Sequence, residues 1–406
     1  MTIRLVDYFN VDKFQRNYWC FKKCEQSISI DGGYSIFDDQ KKEYIFVNDL
    51  TLFTNEQCNA AQKNLADFDE ECYDDYMKEI QDFLLEFEKV NDFSLTFRKK
   101  KITTILNETI GKSQIINKYE VKIKYCYENN FALIAYGVSG TLEKLMQVWD
   151  YKKIILRQNH VFNYPVYPIK YAGHSIVLMN NATVGFLCHE AIGHMAEADL
   201  VLKGTAFSEL LGKKIFDKSI TIVDDGNTEY GAGNIYFDNE GTISSENIII
   251  KEGVLNSFLT DTATAKYFGV KNTGNARKAF WNQPPHIRMT NTYLKNGNKN
   301  VEELLSQIEK GLYINEVVSG NCELNGEFEL LASNVMLIYK GAIVGRATNV
   351  RVYDNVFTVF NNFYEIGNDS KLCLGAASCG KMASIKVDAG GPHVLTECYV
   401  EIYNER

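Results

Sequence analysis

The sequence predicts an α+β protein of two domains: residues 1–168 mix helices with antiparallel hairpins, and residues 169–406 form a strand-rich unit carrying one chemically distinctive helix. Three observations point there. Helical and period-2 apolar spacings alternate through the first half. Tyr164-Pro165-Val166-Tyr167-Pro168 then concentrates two of the five prolines, and each disfavours helix at the residue before it. Beyond that break, short apolar runs are separated by turn residues. A chain of 406 residues is also longer than one hydrophobic core ordinarily supports.

In chain order, Tyr76, Ile80, Phe83, Leu84 and Phe87 recur at helical spacing, and Leu142, Leu145, Met146 and Trp149 do the same. Between them Val121, Ile123, Tyr125 and Tyr127 alternate with polar residues, and Glu128-Asn129-Asn130 turns that strand into a second one from Phe131 to Val138. Ser175 to Met179 is a short apolar strand, after which Asn180 or Asn181 can cap a helix running through Gly185 and Cys188 into His189-Glu190. Ile248 to Ile250 and Val254-Leu255 flank Lys251-Glu252-Gly253, a length that closes a bulged hairpin. Asn300 is expected to cap a helix from Val301 to Lys310, with Glu303 in the capping-box position and Gly311 as the stop. Val335 to Tyr339 meets Ala342 to Val344 across Lys340-Gly341, and Val394 to Tyr403 is the last strand.

The composition, 45% hydrophobic, 23% charged and 13% aromatic, is that of an ordinary globular protein. A net charge of -9 without a block of like charge argues against nucleic acid as a partner, because phosphate binding needs a basic surface. The N-terminus lacks the basic start and apolar stretch of a signal peptide, and no apolar run approaches the roughly 18 residues of a membrane helix, so a cytosolic protein with no membrane partner is expected. The ten cysteines form no CxxC pair and are expected to be reduced and mostly structural.

The chemistry concentrates in His189-Glu190-Ala191-Ile192-Gly193-His194. Zinc peptidases commonly space two histidines four apart on one helix face. Here the spacing is five, which in a regular α-helix swings the second imidazole about 140° away from the first. A widened turn, or an end to the helix near Gly193, would bring His194 back, and glycine permits either distortion. A catalytic zinc usually takes three protein ligands and leaves a fourth position for water. On local grounds the third ligand stays open among Glu197, Asp199 and the C-terminal cysteines. Glu190, beside the first histidine, is the candidate general base that accepts a proton from water and returns it to the leaving amine. The competing readings are a histidine pair on a packed helix and a structural metal site.

The segment from Val184 to Asp199 resembles the signature helix of the TldD subunit in the TldD/TldE (PmbA) family of bacterial and archaeal zinc peptidases. Val223-Asp224-Asp225-Gly226, Asp238 to Gly241, Glu252-Gly253, Gly274 to Lys278 and Arg288 to Thr292 resemble further blocks of that family, so the similarity spans most of residues 175 to 406. Cys379-Gly380-Lys381 matches the family's C-terminal ligand segment. The resemblance therefore implies Zn2+ held by His189, His194 and Cys379, Glu190 as base, and Glu197 as a carboxylate behind the ligands. It leaves Cys373 and Cys398 as structural thiols.

The resemblance further implies a peptide substrate, an unfolded segment or a peptide undergoing maturation, and assembly either as a homodimer or with a TldE-like subunit that lacks the metal motif. A strand-rich domain suits peptide capture by strand addition. Arg288 and Asn291 are candidates for substrate contact or for hydrogen bonding inside a buried loop. His286 is expected to be a surface or loop histidine, with donation to the oxyanion as the alternative, and Gly231-Ala232-Gly233 a turn, since no lysine or helix start follows it. Residues 1–90 match the family weakly. The alternative function is a peptide-binding or scaffolding subunit with a structural metal.

Overall fold

A computed structural model of the chain describes residues 3–19, 22–38, 43–47, 70–106, 112–167 and 170–403. The first sheet contains β1 (Ile3–Trp19), β2 (Lys22–Asp38), β3 (Glu43–Val47), β4 (Val90–Leu106), β5 (Ser113–Tyr127) and β6 (Asn130–Ser139), in the spatial order β3-β2-β1-β4-β5-β6. All its pairings are antiparallel, and β5 meets β6 across the turn expected at Glu128, which takes a positive φ of 54°. Phe93, Leu95 and Phe97 of β4 and Val121, Ile123 and Tyr125 of β5 alternate onto one face, where they pack with Tyr76, Met77, Ile80 and Leu84 of the helix Glu70–Leu85.

The helix at Leu142–Val148 forms where its apolar spacing places it, capped by Thr141. The helix Tyr151–Phe162 lies outside the sequence expectation. Asp150 caps it by accepting from Lys153 N at 3.0 Å, and Tyr151, Ile155 and Phe162 close the same core. Its Asn159 accepts a 2.9 Å hydrogen bond from Tyr125 Oη, which ties the helix to the sheet it covers.

From Lys170 onward the chain builds two further multi-stranded sheets. One has six strands, among them Ile222–Asp225, Asn291–Leu294 and Asp388–Gly391. The other has nine, with β7 (Lys170–Met179) between the last strand Val394–Tyr403 and the strand Lys310–Ile314. β7 pairs antiparallel with the former and parallel with the latter, which accounts for the unbroken apolar run Ile176 to Met179 at its buried end.

The helix expected from Val301 to Lys310 ends at Ser306. Its capping box forms as expected between Asn300 and Glu303. Lys310 and Gly311, however, are drawn into the strand that pairs with β7 and with Val335–Tyr339, and those sheet hydrogen bonds outweigh another helical turn. The short helices Thr262–Phe268 and Val356–Asn361 were also not foreseen; the latter, Val-Phe-Thr-Val-Phe-Asn, has the composition of a strand.

The helix that begins at Asn181 packs against strands of both large sheets, and Val184, Leu187, Cys188, Ala191 and Ile192 share a core with Val177, Met179, Leu294 and Val394. Gly185 permits this approach: a Cβ there would lie 2.6 Å from Gly390 N and 2.7 Å from Gly390 Cα. Because that obstacle is backbone, Gly185→Ala is expected to destabilise the protein by about 1–3 kcal/mol, measured as a lower midpoint of chemical unfolding.

Candidate metal centre

Asn180 caps the helix, its side chain accepting from Thr183 N at 2.9 Å, and Asn181–Leu187 is regular α-helix. The turn then widens into a π-helix over Cys188–Gly193. His194 N–H donates to His189 C=O, five residues back, so the widened turn is closed by a bond between the two histidines themselves. Of the two distortions that the spacing allowed, widening is the one adopted. The imidazoles return to one side of the helix with ring centroids 5.1 Å apart. Gly193 has no room for a side chain, since a Cβ would overlap Met289 Sδ.

Cys379 arrives from 185 residues downstream on the hairpin Ser378–Cys379/Ile385–Lys386. Its sulfur lies 3.3 Å from His194 Nε2, and one donor atom from each of His189, His194 and Cys379 fits within 4.8 Å of the others. This is a two-nitrogen, one-sulfur set that suits zinc and leaves a coordination position open. The surroundings of His189 suit such an ion. The residue is only 5% exposed, yet neither ring nitrogen has a hydrogen-bond partner, and a buried polar group left unpaired in this way is accounted for by an ion.

Glu197 is fully buried, and its Oε2 accepts from His194 Nδ1 at 2.7 Å, which turns Nε2 toward the Cys379 sulfur. Burial works against charge on both His194 and Cys379. The Glu197 carboxylate and the sulfur nevertheless hold His194 well above the usual histidine range, and the two imidazoles hold the Cys379 thiol well below the usual cysteine range. A lowered thiol pKa favours the thiolate, the form in which cysteine ligates metal.

Lys381 went unassigned in the sequence although it stands two residues after the cysteine. Its Nζ donates to Glu197 at 3.0 Å, to Asp199 at 2.8 Å and to Ile287 C=O at 3.1 Å. One short loop therefore brings both a ligand and the cation that fixes the carboxylate behind another ligand. Glu190 projects from the same π-turn, partly exposed, with Oε2 3.7 Å from His194 Nε2. With His189 it lines a cavity of about 260 Å³ bordered by Val317, Val318 and Ser319.

Arg288 and Asn291 do not reach that cavity. Arg288 is buried and donates from Nη2 to Cys379 C=O at 2.7 Å and from Nη1 to Ala383 C=O at 2.8 Å, which pins both ends of the ligand loop. Asn291 is fully buried; its Oδ1 accepts from Gly233 N at 2.8 Å and its Nδ2 donates to Asn234 Oδ1 at 2.8 Å. Of the two readings carried for these residues, the structure supplies the internal partners. The Gly231-Ala232-Gly233 turn is held in the same way. His286 lies in the short strand pair Ala276–Arg277/His286–Ile287, where burial and the nearby Lys381 charge lower its pKa.

Residues 172–399 match the family model for the PmbA/TldA metallopeptidase C-terminal domain. The chain belongs to the PmbA/TldD metallopeptidase family. Family relatives include a Metalloprotease TldD homolog of Buchnera aphidicola, 34% identical over 224 residues covering 54% of this chain and 46% of that protein. A Zinc metalloprotease TldD homolog of Saccharolobus solfataricus is 30% identical over 260 residues, 63% of this chain and 58% of that one. The chain thus spans about half the length of these curated relatives. The crystal structure of TldE from Thermococcus kodakarensis shares the fold, with a TM-score of 0.73 at 15% identity over 98% of this chain and 96% of that chain. The family match covers both ends of the site, the π-turn and the cysteine hairpin.

Two substitutions test the centre. Cys379→Ser is expected to lose zinc in equilibrium dialysis, whereas Cys373→Ser and Cys398→Ser retain it. Lys381→Met is expected to weaken zinc binding by about 10–100-fold in a chelator competition titration, with partial recovery in Lys381→Arg.

Proposed function

We propose that the chain is a zinc-dependent peptidase acting on extended, unfolded polypeptide. The observation that carries this reading is the convergence of His189, His194 and Cys379 from opposite ends of the C-terminal half, with a partly exposed carboxylate, Glu190, beside them on an open cavity. The names of the Buchnera and Saccharolobus relatives agree with it.

His189, His194 and Cys379 would hold the zinc. When bound, zinc supplies Lewis acidity that polarises a scissile carbonyl and lowers the pKa of water. Glu190 takes the proton of the attacking water and delivers it to the departing amine, so no covalent acyl intermediate is needed. Glu197 keeps His194 in the tautomer that points Nε2 inward, and Lys381 holds Glu197 in place. A purely structural metal would have no use for a carboxylate held partly exposed beside its ligands.

The substrate backbone is bound by strand addition. Glu316–Cys322 is the edge strand of the nine-stranded sheet; among the described residues it pairs only with Glu327–Ser333, and its Val317 to Ser319 border the cavity that holds His189 and Glu190. An added strand is read through main-chain hydrogen bonds, which suits unfolded segments and excludes folded ones. A reducing compartment such as the cytosol would keep the Cys379 thiolate available. A second copy or a TldE-like subunit is the expected partner, a reading that the fold shared with the Thermococcus TldE supports.

Glu190→Gln is expected to retain zinc while kcat/KM for an unstructured peptide falls by about 10²–10⁴-fold. Cleavage at the wild-type rate would overturn the role of Glu190 as base, whereas a zinc-loaded wild-type chain that binds the peptide without cutting it would favour a binding or scaffolding subunit.

A further inference from the structure

Where the edge strand passes the metal centre, its pairing is irregular. Val317 opposes Ala332 and Ser319 opposes Leu331, so Val318 is an extra residue, a β-bulge. A bulge re-aims its side chain, and bulges recur beside active sites. Val318 is left 61% exposed, a large apolar residue at the rim of the cavity that holds Glu190. The rest of that wall has the same character: Phe186, Val317, Leu374, Ala377 and Val387 line it, and its ionisable groups among the described residues are His189 and Glu190 alone.

We propose that this cavity is a subsite for one uncharged, apolar side chain of the peptide next to the scissile bond, with Val318 as its specificity-determining residue. The inference rests on the peptidase reading and refines its substrate class from any extended chain to one with an apolar residue at a fixed distance from the cut. Strand addition supplies the register, because alternate side chains of an added strand face the same way and one of them meets the cavity. Its volume of about 260 Å³ suits a leucine- or phenylalanine-sized group. A lysine or aspartate there would lose water and find no partner of opposite charge other than the catalytic groups themselves.

The far wall is built to stay put. Leu374 N donates to Asp388 Oδ1 at 2.9 Å, and Ala377 N donates to Leu374 C=O at 2.7 Å, so the loop bearing both apolar residues is tied to the strand Asp388–Gly391 behind it. A fixed wall discriminates by shape, because it does not relax around a poor fit.

The test uses the zinc-loaded full chain carrying Glu190→Gln, so that binding is measured without turnover. Fluorescently labelled unstructured peptides that differ at a single scanned position (Leu, Phe, Lys or Asp) are titrated by anisotropy, and cleavage of the same peptides by wild type is mapped by mass spectrometry. At one position Leu and Phe are expected to bind about ten-fold tighter than Lys or Asp. Val318→Lys is expected to abolish that preference and to favour Asp, with zinc content unchanged. Equal affinity for all four peptides at every position, or an unaltered preference in Val318→Lys, overturns the subsite. Cleavage without side-chain preference leaves the peptidase reading standing and removes the subsite; side-chain preference in binding without wild-type cleavage overturns the peptidase reading, and with it the placing of the subsite beside a scissile bond.

Discussion

The backbone hydrogen bond from His194 N–H to His189 C=O spans five residues instead of four, and the rest of the site is arranged around it. An α-helical turn would have closed one residue earlier and sent the two imidazoles to different faces. Widening costs the regular hydrogen-bond geometry of the helix, and packing on both sides holds the widened form in place. Ala191 and Ile192 are fully buried in the core, and Met289 fills the space at Gly193 that a side chain would need. The π-turn is therefore a tertiary feature, sustained by the two sheets between which the helix lies.

The same dependence governs the electrostatics. Cys379 and Lys381 belong to a loop with little core of its own, yet Arg288 fixes its carbonyls and Lys381 reaches back to Glu197 and Asp199. The Cys379 sulfur, the His194 imidazole, the Glu197 carboxylate and the Lys381 ammonium form a chain of paired polar groups in a largely water-free setting, where each unpaired member would be costly. Docking the loop thus brings the sulfur to the imidazoles and the ammonium to the carboxylates together. Arg288 and Asn291 serve this scaffold through their buried hydrogen bonds, one to the ligand loop and one to the turn at Gly233.

Much of the local structure was legible. Hairpins with a clear period of two and a turn between them appeared where expected, as did the caps at Asn180 and Asn300, because these depend on contacts a few residues apart. The departures fell where distant strands competed with local preference: Lys310, expected as the last helical residue, and Gly311, expected as its stop, pair instead with Tyr339 and Ile338. Val356–Asn361 went the other way, its strand-like residues becoming a helix whose Val356, Val359 and Phe360 face the core. At the site, spacing alone marked the two histidines and the glutamate as candidates. The cysteine needed the family resemblance, and the Val318 bulge had no sequence signal, since a bulge is defined only by the strand across from it.

By itself the sequence determined that two histidines five apart could share an ion only through a distorted helix, that a carboxylate stood between them, and that a strand and an asparagine cap would lead into that helix. The tertiary structure alone decided which distortion occurs, which way His194 faces, and what surrounds the open side. The physical reason is range. Capping and periodicity act within a turn or two, whereas ligand geometry, burial and thiolate stabilisation require groups as far apart as residues 189 and 379 to meet within 4.8 Å.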